Sequence, residues 1–161
     1  MQKGWIIAGL CCVSVVSAAD AQQSGALKPY EQVWKPAATP PGGIAWSVLE
    51  STKEIQRIEN GVIYSKPVFP KAIKALAGKK IKVNGYMLPL ENGVRQSRFV
   101  LLAYPPDCPF HLNPSPMQFI EVRAVTPVAM RDDVNTIEGT LVLTGDDEGG
   151  IFYKLVNSKE L

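Results

Sequence analysis

The sequence predicts a mainly β (α+β) domain, a small five-stranded antiparallel barrel preceded by short helices. Three observations carry that prediction. Apolar residues alternate with polar ones in several short runs after residue 79, turn-forming Gly, Asn and Asp clusters separate those runs, and the helical spacing found before residue 78 covers only short stretches. The chain has 161 residues, 46% hydrophobic and 20% charged, which suits one packed domain rather than a disordered or fibrous chain. Its formal net charge of +2 is unchanged when Lys3 and Asp20 are removed with the leader. Charge-driven binding of nucleic acid is therefore not expected.

The chain opens with Lys3 and an almost wholly apolar run over residues 5–18, too short to span a bilayer comfortably. Ala19-Asp20-Ala21 gives the small-x-small pattern of a signal-peptidase site, so residues 1–21 read as a signal peptide, with cleavage after Ala18 or retention as an anchor as alternatives. Cys11 and Cys12 lie in this run, but Leu10 stands where lipid attachment wants a small residue. The expectation is a periplasmic protein with no transmembrane segment in its mature chain. Residues 22–43 hold Pro29, Pro36, Pro40, Pro41 and Gly42-Gly43 and read as a flexible arm, leaving residues 44–161 as a single barrel domain.

Within that domain, Trp46, Val48 and Leu49 sit at helical spacing, and residues 53–64 are ambiguous between a helix and a hairpin turning at Asn60-Gly61. Pro70 suits the first turn of a second short helix with Ile73, Leu76 and Ala77 on one face, and Gly78 supplies a left-handed stop. From Lys79 the period becomes two, through Ile81 and Val83 to Tyr86-Met87-Leu88-Pro89, giving the first barrel strand. Glu91-Asn92-Gly93 is turn chemistry, and the apolar run 99–104 fits a strand covered on both faces. Alternation returns at 119–124, at 137–143 with Gly139 marking a bulge, and at 151–156 after a Gly- and Asp-rich turn. Five strands in this little chain are most economically closed as a barrel of the oligonucleotide/oligosaccharide-binding (OB) type, which also disposes of exposed edges.

One constellation carries chemistry. The proline-dense connector 105–116 holds Cys108 and His111, the one thiol and one imidazole left after the leader. Its prolines stiffen the backbone, and thiolate and imidazole three positions apart can converge on Zn(II) or copper, with a thioether of Met87 or Met117 as a soft addition. A closed zinc site wants four ligands, so Asp107, Met117, Gln118, Glu91 or a second chain would complete the set. The bland alternative is a buried Cys acting as a small hydrophobe and a His capping carbonyls. Cysteine hydrolysis lacks a separately placed base, and thiol–disulfide exchange lacks a second cysteine, so catalysis is disfavoured. Asp132-Asp133 and Asp146-Asp147-Glu148 lack calcium-loop spacing, and Lys71, Lys74, Lys79, Lys80 and Lys82 read as a solvated face.

Phe69-Pro70, Ala75-Leu76-Ala77-Gly78-Lys79, Gly85-Tyr86-Met87-Leu88-Pro89-Leu90 and Cys108-Pro109-Phe110-His111 together resemble an uncharacterised family of exported bacterial proteins, often met beside transporter genes of the MacB or lipoprotein-releasing type. The resemblance covers about residues 46–143. It implies an exported protein with a small β-barrel and a cysteine loop, and it transfers no activity. Where such relatives carry Cys-Pro-Phe-Cys, His111 takes the last place, which weakens a redox pair and leaves metal ligation open. The expected function is thus a periplasmic non-enzymatic metal-handling (Zn or Cu) accessory protein serving an envelope transporter or membrane protein complex. An envelope adaptor or binding module, with a purely structural loop, is the alternative.

Overall fold

The computed structural model describes residues 35–106, 113–144 and 150–161. Two short helices, α1 (Trp46–Leu49) and α2 (Lys71–Lys74), flank a hairpin of β1 (Lys53–Glu59) and β2 (Val62–Val68). Five strands follow: β3 (Lys80–Pro89), β4 (Arg95–Leu102), β5 (Phe119–Ala129), β6 (Asn135–Leu143) and β7 (Tyr153–Glu160). They close into a barrel in the order β3-β4-β5-β7-β6, β6 returning to β3. The expected five-stranded barrel is therefore present. Four of its seams are antiparallel, and the β5–β7 seam is parallel, so the barrel is mixed rather than purely antiparallel. A parallel seam needs β7 to enter from the far side, which the intervening strand β6 accomplishes.

Alternation decides what fills the barrel. Ile81, Val83 and Met87 of β3, Phe99 and Leu101 of β4, Ile120 and Val122 of β5, Ile137 and Leu141 of β6, and Tyr153 and Leu155 of β7 are all buried in one core. Trp46 and Leu49 of α1 and Ile73 of α2 belong to the same cluster. Trp46 Nε1 donates to the Asn84 carbonyl at 2.7 Å, which fixes α1 against β3. Pro70 stands just before α2, as read from sequence, but α2 is a single turn ending at Lys74 with Ala75 as its C-cap, and Gly78 (φ +74) closes the turns that follow, its N–H donating to the Leu141 carbonyl at 2.8 Å.

Closure depends on an exchange of partners along β3. Its first half pairs with β6 as far as Gly85↔Asn135, and its second half pairs with β4 from Tyr86↔Leu102 onward. A Cβ at Gly85 would stand 2.6 Å from Leu101 Cγ and 2.7 Å from the Leu102 carbonyl oxygen, so glycine is what lets β4 close up at the turnover point. The β6–β7 register shifts between Glu138 and Thr140, placing Gly139 at an irregularity where a Cβ would run into Ser158.

The ambiguous segment 53–64 is a hairpin. Asn60 (φ 50) and Gly61 (φ 78) form its two-residue turn, the left-handed pair that matches strand twist. Residues 35–43, expected to be the end of a flexible arm, pack along the barrel. The Ala37 N–H donates to the Ala103 carbonyl at 2.8 Å, the Ile44 N–H to the Lys82 carbonyl at 2.8 Å, and Ala37 and Pro40 are buried.

Candidate functional site

Asp107, Cys108 and His111 lie outside the described residues, as do the signal segment, both cleavage points and the cluster 146–148. What is described is the frame from which their loop departs. The Ala103 N–H donates to the Gln118 carbonyl at 2.9 Å, tying the two ends of the connector together just past the β4–β5 pairing. On the return side, residues Pro116–Gln118 form a 3-10 turn in which Ser115 and Gln118 cap each other. The Gln118 amide also donates to Glu50 Oε1 at 3.2 Å, anchoring the neck to the segment after α1. Burial and then the Glu50 charge push the Tyr104 phenol above its ordinary value, so it stays protonated at the neck.

A cleft of about 440 Å³ opens beside this neck. Its walls are Tyr86, Met87, Leu88 and Pro89 of β3, Pro105 and Pro106 at the outgoing end of the connector, and Met130, Arg131 and Asp132 before β6. Its position follows from the barrel geometry: beyond Gly85, β3 leaves β6 for β4, and the strand that would have filled the gap begins only at Asn135. The two expected thioethers part company here. Met87 lines the cleft with its side chain almost wholly in the core (5% exposed), whereas Met117 packs half-buried against the core and is not among the cleft residues.

Two further candidates are committed elsewhere. The Glu91 carboxylate accepts the backbone N–H groups of Ser97 (2.7 Å) and Arg98 (3.1 Å), closing the β3–β4 turn around buried Gln96. Gln118 is engaged with Ser115 and Glu50 as above. The cleft walls also hold Met130, which the sequence did not single out, and Asp132, weighed above only as part of the Asp132-Asp133 cluster. Among the described residues no three Cys, His, Asp or Glu side chains gather as a metal site. Also among the described residues, no helix is long and apolar enough to cross a membrane.

A second charged feature lies on the outer wall. Glu121 of β5 is buried (1% exposed) beneath Arg98 of β4, Arg123 of β5 and Lys154 of β7. Arg98 Nε reaches Glu121 Oε1 at 2.8 Å and Arg123 Nε reaches it at 3.3 Å, while Lys154 Nζ stands 3.7 Å from Oε2. Burial pushes the carboxyl up, but the Arg98 hydrogen bond and the charges of Arg98, Lys154 and Arg123 outweigh it and hold it below its ordinary value. Glu121 therefore remains an anion under three cations, a buried counter-ion rather than an acid-base group.

A family model described as a protein of unknown function (DUF3299) matches residues 23–155. Among solved structures, the chain is similar to a DUF3299 family protein from Pseudomonas aeruginosa, at 22% identity and a TM-score of 0.44, over 59% of this chain and 67% of that one. Comparison with curated proteins gives no match.

Proposed function

We propose, for a chain that belongs to the DUF3299 family of proteins of unknown function, a non-enzymatic metal-handling role in the cell envelope, with Cys108 and His111 as the principal ligands for Zn(II) or copper. The observation that supports this reading is the cleft at the loop neck. Pro106 lines it, and Cys108 follows two residues later in the chain. The same walls offer the thioether of Met130, about half exposed, and the carboxylate of Asp132. Thiolate, imidazole and thioether together favour Cu(I), whereas thiolate, imidazole and carboxylate favour Zn(II). Asp107, next to Pro106, is an additional oxygen donor, and Met117 stays with the core.

A thiolate ligand must lose its proton and an imidazole ligand must be neutral, so metal uptake weakens as pH falls below about 6. Delivery to or from an envelope transporter is the role such uptake would serve. Elemental analysis of protein purified without a histidine tag, after equilibration with Zn(II) or with Cu(I) under reducing conditions, tests the proposal. Wild type takes up about one equivalent, the Cys108→Ser/His111→Ala variant none, and Met130→Leu lowers copper but not zinc. Equal uptake by wild type and the double variant would sink it. That outcome would favour the binding-module reading, for which the cation-covered wall of Arg98, Arg123 and Lys154 is the specific surface.

A further inference from the structure

The β1–β2 ribbon hydrogen-bonds as a sheet only to itself, outside the barrel. A two-residue turn at Asn60-Gly61 makes Glu59↔Val62 the pair that exchanges both peptide hydrogen bonds, and the pattern then alternates down the ribbon. Arg57↔Tyr64, Ile55↔Lys66 and Lys53↔Val68 bond inward. Glu54, Gln56 and Ile58 on β1, and Ile63, Ser65 and Pro67 on β2, turn their N–H and C=O groups outward.

These two edges differ. On β2 the outward position nearest the barrel is Pro67, which is buried and has no N–H to offer, so that edge is blunted. On β1 the outward peptide groups of Glu54, Gln56 and Ile58 make no backbone hydrogen bond beyond the ribbon among the described residues, and Gln56 and Ile58 are exposed. The ribbon also carries an unusual load of bare apolar side chains, with Ile58 73%, Ile55 58%, Ile63 57% and Val62 51% exposed. An isolated two-stranded ribbon of this kind gains stability when further strands join it.

We infer that β1 is a self-association edge, pairing antiparallel with β1 of a second copy of this chain about a two-fold axis at Gln56. The sequence of β1 selects that occupant and that register. Gln56 is the midpoint of Lys53–Glu59, so this is the one register in which the whole strand overlaps its copy, and the outward-facing peptide groups meet outward-facing ones. Lys53 then stands directly opposite Glu59 of the second copy, and Glu59 opposite Lys53, an opposite-charge cross-strand pair at both ends of the seam. Moving the axis to Glu54 would set that carboxylate against itself. The product is a continuous four-stranded antiparallel ribbon joining two barrels, with the two Ile55 side chains diagonal neighbours on one face and each Ile58 opposite Glu54 of the other copy on the other face.

Sedimentation equilibrium of the purified protein over a wide concentration range tests the inference. Wild type is expected to show a reversible monomer–dimer equilibrium. Lys53→Glu and Glu59→Lys each place like charges opposite one another and should weaken the dimer at least tenfold, while the Lys53→Glu/Glu59→Lys exchange restores it. Gln56→Pro removes an outward N–H at the centre of the seam and should leave monomer only. All three substituted positions are exposed, and unchanged thermal melting of the monomer checks that each of the four variants is folded. A wild type that stays monomeric throughout, a dimer indifferent to the single charge reversals, or a failure of the double exchange to recover it overturns the inference.

Discussion

Removing one hydroxyl at the base of the hairpin should unsettle the junction between α1 and the barrel. Tyr153, fully buried at the start of β7, donates its phenolic proton to the Leu49 carbonyl at 2.7 Å and accepts from the Thr52 hydroxyl at 2.6 Å. In Tyr153→Phe the Leu49 carbonyl keeps the Thr52 N–H, at 3.2 Å, so its loss is one hydrogen bond, about 1 kcal/mol. The Thr52 hydroxyl, 3% exposed, loses its buried acceptor at about 1–2 kcal/mol. The expected total is about 2–3 kcal/mol, read by urea unfolding through the fluorescence of buried Trp46, with a fall in Tm on the order of 10 °C. Adding Thr52→Val to Tyr153→Phe removes the stranded hydroxyl and should recover roughly half of the loss. Alkali gives an independent check. Burial outweighs the Thr52 hydrogen bond and pushes the Tyr153 phenol up from 10.0 to about 12, so the unfolded chain releases this proton first. The stabilisation is complete below pH 10 and drains away between pH 10 and about 12, on the order of 2–3 kcal/mol, and Tyr153→Phe has no such loss. A difference between wild type and Tyr153→Phe smaller than about 0.5 kcal/mol at pH 8, or one that does not shrink towards pH 12, would refute the reasoning.

The acid side should be governed in part by Glu121. Its carboxyl titrates below its unfolded value, so its contribution is present above that value and lost as pH falls through the depressed one. Glu121→Gln keeps an acceptor for Arg98 but not the charge. It should cost about 1 kcal/mol at pH 7 and flatten the stability curve below pH 5, which urea titrations at several pH values would show. Gly85→Ala should cost about 1–3 kcal/mol by the same unfolding assay, because the new methyl meets Leu101 and the Leu102 backbone where β3 passes from β6 to β4; a neutral result would mean that the β3–β4 seam relaxes freely.

Alternation made the centres of the strands readable, and their ends fell where alternation stopped. β4 begins at Arg95, earlier than the apolar run 99–104 suggested, because Arg95-Gln96-Ser97-Arg98 holds the ladder with polar side chains. Buried Gln96 is satisfied there by Glu91 and Gly93 of the adjoining turn. β5 continues through Pro127 to Ala129, past its last pairing with β7 at Ala124, so the proline meets no demand for an N–H from that side. Asn60-Gly61 decided the hairpin once it was paired, whereas Lys53–Tyr64 alone carries no periodic signal because both ribbon faces are largely exposed. Of the candidate ligands, Met87 lines the cleft and Met117 does not, and the presence of Met130 in the cleft wall was not legible because nothing in its local sequence distinguishes it from a turn residue.

Sequence by itself determined the centres of the five barrel strands, the apolar set that fills the barrel, the helix start after Pro70 and the irregularity at Gly139, all of which rest on local backbone preference and on periods of two or of 3.6 residues. Tertiary structure alone decided the parallel β5–β7 seam, the exchange of partners at Gly85, the packing of residues 35–43 along the barrel, and the cleft. Each of these joins segments far apart in the chain: Tyr86–Pro89, Pro105-Pro106 and residues 130–132 meet only because β3 changes partners partway along its length. Periodicity reports which face of a strand is buried, and it carries no information about which strand lies on either side.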